Sequence, residues 1–431
     1  MSENTKNEYD GAPKRRDVLK AFAENPTKMP RLNIGMGPEE TTSASPAKAS
    51  PFEIKGDHLS AIRPGGNYFY RGCRRFIPVG ANWVYAKASQ FLLFLGLGIV
   101  TASTGFAAAK ARPQRFDFSL PRMGTIFRIE MYAASDMEAS RAAEAAFDRA
   151  EQLEQIMSDY RADSELARLM RGGSAAPFPV SRDLYNVLAK SLWISELSRG
   201  SFDVSIGPLV DLWRSSRKSG HLPDPAEIAK AKALADFRNI ELDPVRHTVF
   251  LKRSGMRLDL GAIGKGYAAD QMLSVLQSLG IHHAMVVAGG EVVTGEPPPG
   301  GSDWKVRIDT ADSDAGGAPC TLLLRGHAVS TSGDEHQFLE VNGRRYSHII
   351  NPRTGWALEG MSSTTVIARD STTADALATA FSIMTVSDGI RIAQSLPGVT
   401  ALWVRRVRGE WKYYTSRGFP TSCHGFPEGS K

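Results

Sequence analysis

The stretch LDLGAIGKGYAAD, residues 258–270, joins a strand-like run to a helix-like one through Gly261, Gly264 and Gly266. A strand, a glycine turn and a helix leave free backbone N–H groups at the helix start, where an anion is well held. Glycines also admit a ligand close to the backbone. The spacing is G-x-x-G-x-G, which is neither the G-x-x-x-x-G-K-[ST] phosphate loop nor the G-x-G-x-x-G dinucleotide turn. Lys265 lies inside the turn and Asp259 just ahead of it. Alone, the stretch is either an anion site or a tight turn carrying an exposed lysine.

Outward from it, HTVFLKRSGMRLDLG (247–261) reads as a hairpin with a Ser-Gly turn. YAADQMLSVLQSLG is a helix with Met272, Val275, Leu276 and Leu279 on one face and Gly280 closing it. HAMVVAGGE is a buried strand ending in paired glycines, and WKVRID alternates as a strand. AVSTSGD, YSHIINPRTG and TTVIARD supply further strand ends and turns. Toward the N-terminus, QRFDFSLPRMGTIFRIEMYA (114–133) alternates as strands around a turn. The following segment places Ala143, Phe147, Ala150, Leu153 and Met157 at helical spacing. A second helix is expected over about 181–198, a third begins in PDPAEIAKAKAL, and TTADALATAFSIM is the last. There is no internal repeat. The order predicts an α/β (α+β) fold with mixed sheets and long flanking helices.

The 431 residues are 42% hydrophobic, 23% charged and 9% aromatic, ordinary for a soluble globular chain. The net charge of +6 comes from 52 basic and 46 acidic residues without a long basic run, which argues against nucleic-acid binding. Three cysteines, Cys73, Cys320 and Cys423, form no C-x-x-C pair, so a zinc site is not expected. Whether Cys320 and Cys423 pair is open.

Residues 1–111 read as a disordered N-terminal extension, polar and rich in Pro, Gly, Ser and Lys. It ends in the apolar run FLLFLGLGIV (91–100) and a small-residue stretch, TASTGFAAAKA. Ten apolar residues have the length of a signal h-region and are short for a bilayer span. Arg15-Arg16 in KRRDVLKAF matches a twin-arginine pattern but lacks the apolar run after it; Arg74-Arg75 lies nearer the run and matches less well. The expected location is periplasmic, by export or by a retained N-terminal anchor. Residues 112–431 form the expected folded domain.

Several constellations carry chemistry. Asp375 and Thr379 stand four apart on a predicted helix, so both oxygens share a face and suit a hard cation such as Mg²⁺; helix capping is the competing explanation. His348 runs into an Asn-Pro turn. Phe202 and Asp203 precede a Gly-Pro turn, and Tyr160 ends a helix where it can stack on a flat ligand or simply pack.

Taken in order, MGTIFRI, MSDYRADSEL, SFDVSIGPLVDLW, LDLGAIGKGYAAD, AVSTSGD, SHIINPRTG and TTADALATA resemble the ApbE family of FAD:protein FMN transferases, across about residues 115–415. The resemblance implies Mg²⁺-dependent transfer of FMN from FAD to a Ser or Thr hydroxyl of a target protein, with a phosphoester formed and AMP released. It implies FAD contacts at Met123, Tyr160, Ser201, Phe202, Asp203, Asp259, Lys265 and Ile350. It implies a metal on the Ala262 carbonyl, Asp375 and Thr379. Ala378 stands where some members carry a second aspartate, and Asn351 where many carry aspartate. His348 is the candidate base. The implied partner is a protein with an FMN-binding domain, such as an ion-pumping quinone reductase subunit or a NosR-type regulator. Competing readings are an FAD-binding or FAD-hydrolysing protein of the same fold, and a non-enzymatic accessory protein for redox-complex assembly.

Overall fold

Apolar residues alternate along 125–133, and Phe127, Ile129, Met131 and Ala133 all turn to one buried side. That strand, β2 (Thr125–Ala133), pairs with β1 (Gln114–Arg122) around a turn in which Met123 and Gly124 both have positive φ, 47° and 73°. Two such residues in succession match the twist of a tight hairpin. The computed structural model describes residues 112–310, 320–333 and 337–420. The expected extension, with its apolar run and arginine pairs, lies outside the described residues, as do Cys73 and Cys423.

Helix α1 (Asp136–Met157) begins at Ser135, whose hydroxyl accepts from the Glu138 N–H, while the Glu138 carboxylate accepts from the Ala134 N–H. The reciprocal bonds satisfy donors that a helix start leaves open. There follow α2 (Glu165–Gly172), β3 (Phe178–Pro179), α3 (Arg182–Leu197), α4 (Gly207–Ser219), α5 (Pro225–Lys232), β4 (Ile240–Asp243) and β5 (Thr248–Leu251). Then come α6 (Gly264–Ser278), β6 (Ala284–Ala288), β7 (Glu291–Thr294), β8 (Trp304–Ile308), β9 (Cys320–Leu324) and β10 (Ala328–Gly333). The chain continues through β11 (Phe338–Val341), β12 (Arg344–Ile350), β13 (Ala357–Glu359), β14 (Ser362–Ala368), α7 (Ser371–Ile383), α8 (Val386–Ser395), β15 (Thr400–Val407) and β16 (Glu410–Thr415).

Eight strands form one sheet in the order β1-β2-β6-β7-β10-β14-β15-β16. The fold class stands, in its α+β form. In place of mixed sheets, every ladder between these strands is antiparallel, because even the long helical connection from β2 to β6 returns against its neighbour. The period of two sorts the side chains. Ala401 and Trp403 of β15 join the helices α1, α6 and α7 in the main core, while Leu402 and Val404 meet the β8–β9 ribbon on the other face. A third cluster, around Trp213, Ile228, Tyr346 and Ile350, packs α4 and α5 on the small sheet β11-β12-β13.

The hairpin expected over 247–261 is not formed. β5 pairs with β4 and β3 instead, and the segment ahead of the glycine turn makes one isolated bridge, Arg257 to Ile206. The Asp259 N–H donates to the Val204 carbonyl, so this segment is held by the 204–207 turn. Alternation in the sequence could not distinguish these partners.

Candidate active site

All twelve residues singled out from the sequence line one cleft of about 1410 Å³. Ordinary small-molecule pockets are about 300–1,000 Å³, so this one has room for a ligand of dinucleotide size. Its walls are the β1–β2 turn, the end of α1, the 201–206 loop, α4, the 258–265 turn, β10, β12 and α7.

The glycine turn works differently from expectation. A Cβ on Gly266 would stand 2.4 Å from the Ser371 carbonyl oxygen and 2.9 Å from the Asp375 Cβ. This glycine therefore lets α7 approach the head of α6. Its N–H then donates to Asp375 Oδ2 at 3.1 Å, so a first-turn donor that could have held a ligand anion instead holds a carboxylate. The helix dipole favours that negative charge. Asp270 fastens the same pair of helices, accepting from the Ser371 and Thr372 N–H groups at 2.8 Å each. Near Gly261 the constraint is local: Asp259 Oδ1 accepts its N–H at 2.7 Å.

Lys265 reaches back into the turn. Its ammonium donates to the Gly261 carbonyl at 3.0 Å and lies 3.5 Å from Glu291 Oε1. Burial opposes its charge, but Glu291 and Asp375 outweigh that and raise its pKa. Burial pushes the Glu291 carboxyl up to about 7; the Lys265 ammonium opposes this and Asp375 adds to it. Glu291 is only 5% exposed and its Oε2 has no hydrogen-bond partner.

Asp375 is buried, and burial raises its pKa, with Lys265 acting against that. Thr379, one turn on, has its hydroxyl 3.2 Å from that of Ser332. Ala378 is fully buried in the core, so no second carboxylate points into the cleft from that position. Among the described residues no three His, Cys, Asp or Glu side chains gather as a metal cluster. One buried carboxylate, a hydroxyl and the Ala262 carbonyl are nevertheless hard oxygen donors. They suit Mg²⁺, which commonly takes one or two carboxylates and completes its shell with water and substrate phosphate. The residues present fit that ion.

Tyr160 stands 78% exposed at the rim, with the Arg214 guanidinium 4.5 Å from its ring centre. Arg214 is itself held by Asp159 at 2.5 Å and by Asp259 Oδ2 at 3.1 Å. Arg214 thus links the rim tyrosine to the glycine turn. Met123 is fixed in its left-handed conformation by an N–H bond to Glu154 Oε2 at 2.8 Å.

Ser201, Phe202 and Asp203 form the back of the cleft and are buried. Ser201 Oγ accepts from Arg353. Asp203 uses both oxygens inside the protein, Oδ1 accepting from Ser205 N–H and Oγ–H and Oδ2 from the Phe237 N–H. Ile350 is buried in the α4–α5 cluster. Asn351 Oδ1 accepts from the Arg353 N–H at 2.9 Å, an acceptor role that an aspartate fills equally.

His348 is exposed to the water of the cleft and enclosed by its walls. That enclosure is the main cause that pushes its pKa down to about 4; a bond to the Gln337 carbonyl opposes it, and the Arg217 and Lys265 charges add to it. Its ring is neutral at pH 7, the form a base requires.

Sequence reasoning missed Arg214, Arg217, Glu291 and Glu154. Arg214 and Arg217 sit in WRSSRKSG, where a charge run on a helix reads as solvated surface. Only the fold brings Arg214 to Asp259, 45 residues away.

The chain is thus an antiparallel sheet layered with helices, with a cleft that joins a buried carboxylate on one helix to a glycine turn at the head of another. Residues 123–403 match the model of the ApbE family. The chain is 32% identical to the FAD:protein FMN transferase of Treponema pallidum over 327 residues, 72% of this chain and 90% of that protein. It is 29% identical to the enzyme of the same name from Vibrio cholerae, over 78% of this chain and 98% of that protein. The solved structure of the flavin transferase ApbE from Vibrio cholerae superposes with a TM-score of 0.62 at 28% identity, covering 71% of this chain and 98% of that one. The chain belongs to the ApbE family.

Proposed function

We propose that this protein is an FAD:protein FMN transferase that moves FMN from FAD to a Ser or Thr hydroxyl of a target protein and releases AMP. The observation that carries the reading is the convergence of all twelve motif residues, drawn from positions 123 to 379, on one cleft.

In this reading Tyr160, braced by Arg214, offers a flat surface to a ring of FAD. Met123, Asp259, Ile350 and the buried Ser201–Asp203 segment shape the rest of the cleft. Asp375, Thr379 and the Ala262 carbonyl would hold Mg²⁺, which when bound neutralises pyrophosphate charge. Lys265 adds a fixed positive charge beside them. A Ser/Thr hydroxyl is a weak nucleophile and needs a base. The neutral His348 ring accepts its proton as the new O–P bond forms to the FMN phosphorus. The bond from that phosphorus to the bridging oxygen breaks, and AMP leaves with that oxygen. Most of the acceleration of such a step comes from positioning and charge.

A location outside the reducing cytosol is part of the proposal. It is supported by the apolar run at 91–100 and by Cys320, which is disulfide-bonded. The candidate acceptors are FMN-binding domains of exported or membrane electron-transfer proteins, including NosR-type regulators and ion-pumping quinone reductase subunits.

The test is incubation with FAD, Mg²⁺ and such a domain. Expected are a fluorescent band that survives denaturation, a mass gain of one FMN on the acceptor, and stoichiometric AMP. AMP and free FMN without labelled acceptor would instead establish hydrolysis, and binding without turnover an accessory role.

A further inference from the structure

Arg217 lies on α4 one turn beyond Arg214 and lines the cleft. Its neighbour is paired with Asp159 through Nη1 and with Asp259 through Nη2. In Arg217, Nη1 is covered from solvent and makes no hydrogen bond. A covered guanidinium nitrogen without an acceptor is costly and calls for an explanation. Burial, reinforced by the adjacent Arg214 charge, lowers its pKa, with Tyr160 acting against that. Its charge acts on both Tyr160 and His348, and Lys265 also acts on His348. Two cations from separate elements, α4 and the head of α6, therefore line the cleft together with the histidine, and Nη1 of one of them makes no hydrogen bond. The planar fork of a guanidinium matches phosphate, like carboxylate, through two parallel N–H bonds, and the phosphate-bearing substrate of the proposed reaction brings such an anion into this cleft.

We propose that Arg217 is a phosphate-binding residue of this cleft, its guanidinium holding a phosphoryl oxygen of the FAD pyrophosphate beside His348. The assignment rests on the flavin-transfer reading and adds a residue to it. It also gives that phosphate a positive partner that does not depend on the metal.

The test titrates full-length wild type, Arg217→Lys and Arg217→Ala with FAD and with riboflavin, which lacks phosphate, following flavin fluorescence, and with AMP as competitor. Arg217→Ala is expected to weaken FAD roughly 10- to 100-fold while riboflavin changes less than about twofold. Arg217→Lys is expected to recover part of the loss. A folded Arg217→Ala protein, checked by its melting curve, that binds FAD as wild type does would overturn the assignment. So would equal losses for FAD and riboflavin, which mark a packing role. A change confined to KM for the acceptor protein would also overturn it, by assigning Arg217 to an acidic group of that partner. If wild type binds no FAD at all, the flavin-transfer reading itself fails, and that outcome is visible before any variant is compared.

Discussion

His348 owes its chemistry to where it stands. An imidazole with its ordinary pKa near 6.5 would be partly protonated at neutral pH; here the enclosing walls lower the value to about 4. In its proposed role of base it works unprotonated, so activity that depends on it is expected above about pH 4 and lost as pH drops through that value. The acid limb of kcat/KM is therefore expected at or below about pH 5 rather than near 6.5, and a pH–rate profile checks it. His348→Ala should lower transfer by about 10²- to 10⁴-fold with FAD affinity kept; full transfer by the variant would remove the histidine from the mechanism. Arg214, Glu291 and Arg217 belong to the same scale. Each is ionisable, each lines the cleft, and none announced itself in the sequence, because an isolated Arg or Glu on an amphipathic element looks the same whether it faces water or a ligand.

At the scale of elements, the site depends on how closely α6 and α7 approach. Gly266→Ala would set a methyl against the Ser371 carbonyl at 2.4 Å. Overpacking of that kind costs about 1–3 kcal/mol, so a lower melting temperature is expected together with weaker Mg²⁺ dependence. An unchanged melting curve would show that the helices yield without strain. Asp375 gives a second expectation on the same pair. It and Glu291 are both buried and both act on one ammonium, that of Lys265, an arrangement that a bound cation relieves. Mg²⁺ should raise the melting temperature of wild type by mass action. Asp375→Asn should abolish that shift and the metal-dependent transfer together. A variant that keeps the Mg²⁺ shift would place the ion elsewhere. The glycine turn was legible as a special backbone but not as a helix contact, because a Cβ clash with a residue 105 positions later has no local signature.

For the whole molecule, the eight-stranded sheet separates two cores, one of helices and one under the β8–β9 ribbon, whose second strand begins at Cys320. The ribbon is tied by the Cys320 disulfide. Thiol labelling under denaturing conditions should leave Cys320 unmodified until a reductant is added, and reduction should cost stability, by about 2–5 kcal/mol if the bond behaves as in small secreted domains. Ready labelling of Cys320 without reductant, in protein made by the native route, would count against export to an oxidising compartment. Among the described residues no helix is long and apolar enough to cross a membrane.

The α+β class, the long helices and the seven ordered motifs were determined by the sequence, because helix and strand periods and turn residues are short-range properties. The antiparallel pairing of every strand in the main sheet, and the replacement of the 247–261 hairpin by a β4–β5 pair, were decided by tertiary structure, since alternation fixes a strand's faces but not its neighbours. The same holds in the cleft. The sequence marked Asp203 and Asp259 as carboxylates at turns, and Asp375 as a carboxylate on a helix that either pairs with Thr379 or serves as a cap. The fold then gave Asp203 to Ser205 and Phe237, Asp259 to Arg214 and Gly261, and left Asp375 buried with one N–H bond and a hydroxyl one turn away. Hydrogen-bond satisfaction and burial depend on contacts between residues distant in the chain, and these separate a structural carboxylate from one that can hold a cation.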